Sequence, residues 1–358
     1  MLPEFDFLRP ATLPEALALL AEHGPDAMPV AGGTNVIVDL RHRKHQPKAL
    51  VDLGRLAELR GIRRDNNHVI IGAGVTISEL LTHPLIAEHA SLLHDAAKVF
   101  ANPLIRNRAT VGGNLADASP AADTAPPLLA LDAEVALASL GGTRWLPLAD
   151  FLVGVRKTLR RPDELLTAVR WPVHPDVESA PSVTLIGSDT ESTLRRATSE
   201  ESRPREGDAS LESRRSASHG TNPLSMTSSS AGAKAGRSMG AYTKIGLRKA
   251  DAISVLSAAV AVAFDDAGRC ASARIALGAV APRPFRAAAA EALLTGQPLT
   301  TEAIAEAARL AAAATQPISD IRGEADYRRR VTEVVVRRLF EQVFLEAGSW
   351  KLESGSPL

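Results

Sequence analysis

The sequence predicts an α+β protein in which two folded parts flank a polar insertion. Three observations lead there. Residues 1–172 alternate strand and helix signals. Residues 173–240 lose both periodicity and apolar content. Residues 241–348 read as a hairpin followed by three helical stretches, that is, a small antiparallel sheet packed with helices, with 349–358 left as a tail. A chain of 358 residues is too long for one ordinary core and suits two domains plus an extra segment.

The elements follow in order. Thr12-Leu13-Pro14-Glu15 has the capping-box spacing before the apolar run Ala16 to Leu20, and Gly24-Pro25 ends that helix. Ala27 to Ala31 is extended and leads into Gly32-Gly33, and Ala49 to Leu53 is a second short strand. His68 to Ile71 follows a turn rich in Asp and Asn, Thr76 to Glu79 opens another helix, and Ser91 to Ala101 forms a third. Glu134 to Leu140 and Leu165 to Trp171 are strands. The stretch 173–240 is rich in Ser, Arg, Glu and Gly, and cannot bury enough apolar surface to offset the entropy of ordering, so it reads as a mostly disordered insertion with order resuming at Ala241. Ala252 to Phe264 and Ala271 to Val280 form a hairpin around Asp265 to Gly268. Phe285 to Leu294, Thr301 to Ala314 and Asp326 to Ala347 are helical, the last with Val331, Val334, Val335, Leu339, Val343 and Phe344 at helical spacing.

Composition excludes several functions. Lys plus Arg number 41 and Asp plus Glu number 41, a balance with no general attraction to nucleic acid or to an anionic membrane. The single cysteine, Cys270, cannot form an internal disulfide, and an iron–sulfur cluster takes about four thiolates. Met1 to Phe7 lacks a basic region followed by an apolar run, and no apolar stretch is long enough to span a membrane, so a cytoplasmic location is the expectation. His42, His45, His68, His83, His89 and His94 show no repeated ligand spacing and predict no metal site. No acid–base pair or Ser/His/Asp arrangement can be argued from spacing, so no catalytic residue is assigned.

Two glycine-rich segments carry the candidate chemistry. Val30-Ala31-Gly32-Gly33-Thr34-Asn35 directly follows a strand; paired glycines leave consecutive N–H groups pointing one way, a nest for phosphate oxygens, and a short helix starting near Thr34 would add its positive end. The plain alternative is an ordinary turn. Thr110-Val111-Gly112-Gly113-Asn114 precedes Ala118-Ser119-Pro120-Ala121-Ala122-Asp123, where small residues would let a flat ligand approach the backbone; Asp123 is equally a helix N-cap for the run toward Leu131. Gly72-Ala73-Gly74 starts a dinucleotide fingerprint but has Ile77 at the third glycine position, so it does not support a Rossmann fold.

In this order and spacing, Ala31-Gly32-Gly33-Thr34, Thr110 to Asn114, Ala118 to Asp123 and Tyr242-Thr243-Lys244 through Ala250 resemble the FAD-binding subunit of molybdenum hydroxylases of the xanthine and carbon monoxide dehydrogenase type. Pro317-Ile318-Ser319-Asp320-Ile321-Arg322 followed by Tyr327-Arg328 extends the resemblance through the last part. It implies a two-part FAD-binding domain of the vanillyl-alcohol oxidase type. Pro29 to Asn35 would form the cofactor loop, with Val30 to Asn35 around the pyrophosphate. Phe100 and Thr110, Gly112, Gly113 and Asn114 would line the second wall. Asp123 would accept from cofactor hydroxyls, Leu166 would pack near the flavin, Tyr242 would lie over the isoalloxazine, and Lys244 would sit beside it, where an ammonium favours the reduced anion. For Tyr242 and Lys244 the plain alternatives are a core aromatic and a solvated strand lysine.

The resemblance further implies a division of labour. A molybdopterin-binding large subunit oxidises substrate, a small subunit with two [2Fe-2S] clusters relays electrons, and this chain passes them from FAD to an external acceptor. One cysteine fits that division and argues against the 4-hydroxybenzoyl-CoA reductase branch, whose flavin subunit holds a further cluster. Two other readings are a free-standing flavin oxidase and a cofactor-free assembly protein. The long polar insertion departs from the family, which has a short connector there; it reads as a surface loop or as a docking element or lid.

Overall fold

The computed structural model describes residues 2–173, 184–185, 238–248, 251–265 and 267–347. Its first layer is a three-stranded parallel sheet with Ala49–Asp52 between Asp6–Leu8 and Ala27–Val30. The Leu13–His23 helix covers it with Ala16, Leu17 and Leu20. Thr12 caps that helix by accepting from the Glu15 N–H, while the Glu15 carboxylate accepts from Ala11, one residue earlier than the sequence pattern implies. Parallel pairing is paid for by this crossover helix, and the next connection leaves Val30 through the Gly32-Gly33 turn.

The second layer is a five-stranded antiparallel sheet in the order Ile62–Asp65, His68–Gly72, Leu165–Pro172, Glu134–Ser139, Gly142–Pro147. Short helices cover it, among them Ile77–Thr82, Ser91–Lys98, Val111–Asp117 and Ala125–Ala130. Thr76 and Glu79 complete a reciprocal capping box. The segment Val111–Asp117, read from sequence as a glycine loop, is a helix. Thr110 caps it by accepting from the Gly113 N–H at 3.0 Å, which offsets part of the cost of two glycines in a first turn.

The third layer is a sheet in the order Thr184–Leu185, Ser238–Gly246, Ser254–Phe264, Cys270–Gly278, Phe285–Arg286. The predicted hairpin is present. Phe285 to Leu294 is not one helix: Phe285–Arg286 pairs with Ala276 and Leu277, and the helix runs over Ala288–Leu294. Ordered strand begins at Ser238, ahead of the expected Ala241, and Thr184–Leu185 pairs parallel with Tyr242–Thr243. The disorder expected for the rest of 173–240 lies outside the described residues.

Strand periodicity divides the faces of this sheet. Ala241, Ile245, Leu256, Ala258, Val260 and Val262 pack against the helices Thr301–Ala313 and Ala325–Ala347, in a core that includes Val335, Leu339 and Phe340. Tyr242, Ala259 and Ala276 face the other way and join the core of the second layer. The sheet is therefore buried on both faces, and Lys244, two residues beyond Tyr242, is turned toward the first part of the chain.

Candidate functional site

A cleft of about 540 Å³ opens where the first and third layers meet the second. One wall is the turn from Val30 to the Val36–Arg41 helix. Gly33 has φ +73°, and its carbonyl accepts from Ile37 at 3.1 Å, so the turn closes tightly. The N–H groups of Gly32, Gly33, Thr34 and Asn35 donate to no acceptor among the described residues. Gly32 is fixed from behind: a Cβ there would lie 1.9 Å from the Arg108 carbonyl oxygen. The turn is thus pressed onto the chain just before Thr110, which makes the two glycine segments neighbours. Gly112 is pressed in turn onto Ala73, whose Cβ would lie 2.5 Å from a Cβ added at Gly112, and its N–H donates to the Ala73 carbonyl at 2.8 Å. The Gly72-Ala73-Gly74 turn is therefore a packing platform for the second glycine segment.

A charged floor lies beneath the nest. Asn35 Nδ2 donates to Asp117 at 2.9 Å. Arg156 Nη1 bridges Asp117 at 3.0 Å and Asp39 at 2.7 Å, and Lys44 holds Asp39 at 2.9 Å. Burial works to raise the Asp39 carboxyl, but Lys44 and Arg156 win and hold it below its ordinary range. Arg156 reaches the cleft from a small hairpin in a left-handed conformation, φ +53°, and its N–H donates to the carbonyl of Ala118, itself at φ +46°. Two strained non-glycine residues tied to each other beside the cleft mark a backbone that the surroundings over-determine.

The opposite wall carries Asp123 and Lys244. Their side chains are 9% and 6% exposed and meet at 2.6 Å. Ser254 Oγ donates to the other Asp123 oxygen at 2.7 Å, and the Lys244 ammonium also donates to the Val99 carbonyl at 3.4 Å. Burial pushes the Asp123 carboxyl up, against the ammonium and the hydroxyl that favour its charged form. Asp123 is not a helix N-cap: Thr124 precedes the Ala125–Ala130 helix without a side-chain cap, and Asp123 is spent on the ion pair. Nor is Lys244 a solvated strand lysine.

Of the sequence-predicted residues, the cleft brings together Pro29, Ala31, Gly32, Gly33, Thr34, Asn35, Phe100, Thr110, Gly113, Asn114, Asp123 and Lys244. Val30, Gly112, Leu166 and Tyr242 do not line it. Val30 turns into a small core with Leu40 and Leu50, Gly112 is packed on Ala73, and Leu166 and Tyr242 lie in the core behind the wall. Tyr242 is completely buried, and its hydroxyl lacks a hydrogen-bond partner among the described residues. Tyr242 is set back from the cleft because the sheet packs that face onto the second layer. Sequence reasoning missed Asp39, Asp117, Arg156 and Ser254. No local pattern marks them; each acquires its role through a partner at least 39 residues away.

Residues 3–174 match the model of the FAD binding domain in molybdopterin dehydrogenase, and residues 241–343 match the CO dehydrogenase flavoprotein C-terminal domain. The chain is 31% identical over 343 residues to the carbon monoxide dehydrogenase medium chain of Afipia carboxidovorans, covering 96% of this chain and 98% of that one. The chain belongs to the FAD-binding medium subunits of the molybdenum hydroxylases. This subunit is also 29% identical to the nicotinate dehydrogenase FAD-subunit of Eubacterium barkeri, over 96% of its own length and 98% of the relative's. Its fold matches carbon monoxide dehydrogenase from Hydrogenophaga pseudoflava with TM-score 0.76 at 29% identity, over 97% of this chain and 99% of that one. It is an oxidoreductase subunit with an FAD-binding domain. Among the described residues no group of His, Cys, Asp or Glu is arranged to hold a metal ion, and no helix is long and apolar enough to cross a membrane. Cys270 is buried, and burial pushes its thiol up to about 11.

Proposed function

We propose that this medium subunit holds FAD in the cleft between the Gly32–Asn35 nest and the Asp123–Lys244 pair, and passes electrons from the iron–sulfur clusters of a small partner subunit to an external acceptor. A molybdopterin-binding large subunit would carry substrate oxidation. The observation that carries the reading is one cleft lined by four consecutive N–H groups without acceptors among the described residues and by the buried Asp123–Lys244 pair. Bound flavin supplies one- and two-electron transfer.

This chain's residues do the rest. The nest offers donors to a pyrophosphate without any charged side chain having to move. Asp39 and Asp117 would repel that anion if bare; Arg156 bridges them both, and with Lys44 at Asp39 the two cations balance the two carboxylates. Asp123 offers acceptor lone pairs to cofactor hydroxyls. Lys244 places a positive charge at the wall, moderated by Asp123. Pro29, Phe100, Thr110 and Asn114 shape the remaining surface. Domain boundaries at about 172 and 241 fit this division, with both folded parts contributing to the cleft. The proposed location of the complex is the cytoplasm.

The test is to express the chain alone and assay flavin, iron and molybdenum. About one FAD and neither metal is expected, with dye-linked activity at most. It should not oxidise purines, aldehydes or carbon monoxide until the two partner subunits are added. Substrate turnover by the metal-free chain would replace this reading with a self-contained flavin oxidase, and a colourless protein that takes up no FAD would remove the cofactor assignment.

A further inference from the structure

The Asp320, Arg322 and Arg328 side chains of the last part form a knot of ion pairs. Arg322 grips Asp320 through Nε at 3.0 Å and Nη2 at 2.6 Å, and Arg328 binds the other Asp320 oxygen. Arg328 is almost wholly buried, so this is costly machinery unless it holds something in place. Its two free arms show what it holds. Arg322 Nη1 donates to the Ser254 carbonyl at 3.1 Å, and Arg328 Nη1 donates to the Ala279 carbonyl at 3.2 Å.

Both held residues reach the Asp123 segment. The buried Ser254 hydroxyl donates to Asp123 Oδ1 at 2.7 Å. The Ala279 N–H donates to the Pro120 carbonyl at 2.7 Å, and Ala279 adopts φ +65°, a strained conformation that its neighbours must hold. The two strands ending at Ser254 and Gly278 thus act as arms running from one knot to one loop.

We propose that Ser254, anchored by the Asp320–Arg322–Arg328 knot, is a positioning residue that orients the Asp123 carboxylate and thereby sets how much of the Lys244 charge faces the cleft. The proposal rests on the cofactor reading only for its consequence at the flavin; the tether itself is a property of the chain. Asp123 has two oxygens. With Ser254 holding Oδ1, Oδ2 is directed to Lys244 at 2.6 Å. Without the hydroxyl, the carboxylate loses one of its two side-chain donors and is free to rotate. The charged or titratable groups around it are Lys244 and Tyr242 from the Ser238–Gly246 strand and Arg322 behind Ser254, with Asp251 lining the same cleft.

The test uses the full chain with the Asp123 carboxyl carbon followed by NMR against pH, and the flavin midpoint potential of the FAD-loaded protein measured over the same range. In Ser254→Ala the Asp123 midpoint should rise by about one pH unit, the order of one charge-assisted hydrogen bond. The pH at which the potential changes slope should rise with it. Ser254→Thr keeps the hydroxyl and should restore both. Arg322→Gln leaves the hydroxyl in place but loosens its carbonyl, and should move both in the same direction by less. An Asp123 midpoint unchanged in Ser254→Ala, or equally raised in Ser254→Thr, would overturn the proposal. If Ser254→Ala does not fold, an unmoved midpoint in Arg322→Gln overturns it. A shifted carboxyl midpoint in a chain that binds no flavin would uphold the tether and sink the cofactor reading instead.

Discussion

Gly32 and Arg108 are in backbone contact: a methyl group on Gly32 would lie 1.9 Å from the Arg108 carbonyl oxygen. Gly33, its neighbour, has no such obstacle; the nearest atom to an added Cβ is Ile37 Cγ1 at 3.4 Å, and only its φ of +73° resists a side chain. The two glycines should therefore fail differently. Gly32→Ala should separate the two glycine segments and abolish flavin retention at a stability loss of about 1–3 kcal/mol. Gly33→Ala should cost about 1–2 kcal/mol of backbone strain and keep part of the flavin. Flavin content after gel filtration, with thermal melts, checks the ranking; equal retention in the two variants contradicts it.

Lys244→Ala strips the buried Asp123 of its cation. Breaking a buried pair from one side costs about 3–5 kcal/mol, so the variant should melt well below the parent. Loss of a positive charge at the wall should also make the bound cofactor harder to reduce. Asp123→Asn in the same chain should recover part of the stability, because the uncompensated charge is gone. The double-variant cycle in denaturant unfolding measures the coupling. A Lys244→Ala protein as stable as the parent would place this lysine in solvent.

Tyr242→Phe tests where the ring acts. Its hydroxyl is buried with no well-formed hydrogen-bond partner among the described residues, and burial together with the Asp123 charge outweighs the nearby Ser257 hydroxyl and pushes the phenol well above its ordinary range. Removing an unsatisfied buried hydroxyl should leave stability unchanged or raise it by up to about 1 kcal/mol, with flavin content preserved. Tyr242→Ala should cost about 3–5 kcal/mol through the cavity it leaves. A marked loss of flavin in Tyr242→Phe would give the hydroxyl a direct role.

Acid should unfold the protein through its paired carboxylates. Arg144 lowers the Glu164 carboxyl from its ordinary 4.5, Arg322 lowers Asp320 from 3.8, and Asp39 is likewise lowered. A depressed folded value contributes stability above the ordinary value, lost as pH falls through the folded one. Asp123 works the other way, since its raised value withdraws stability as pH rises through it. The depressed groups lose their contribution as they protonate, so the melting temperature should drop below about pH 4.5. Glu164→Gln should lower stability at neutral pH by about 1–3 kcal/mol and flatten the acid limb. An acid limb as steep as the parent's would remove Glu164 from the account.

The sequence by itself determined the local vocabulary. Thr12 and Thr76 precede helices because a hydroxyl at that position satisfies a free N–H, and the Thr76–Glu79 spacing alone predicts its capping box. The two apolar runs on either side of the Asp265–Gly268 turn and helical spacing along Ala325–Ala347 specify a hairpin with a helical cover. The ordered glycine segments and the Tyr242–Lys244 motif identify the family. Only the tertiary structure decided which groups meet. Asp123 and Lys244 are 121 residues apart, and Ser254 lies 131 residues beyond Asp123. Sheet register brings them together: the Ser238–Gly246 strand turns Tyr242 and Lys244 to one face, and packing onto the second layer buries the first and leaves the second at the cleft. Gly112 likewise looks like a loop residue in sequence but serves a helix docked on Ala73, because backbone-to-backbone contact is written in no neighbouring residue. Short-range hydrogen bonding is legible along a chain, whereas the partner of a buried charge is chosen by packing across layers that no local pattern encodes.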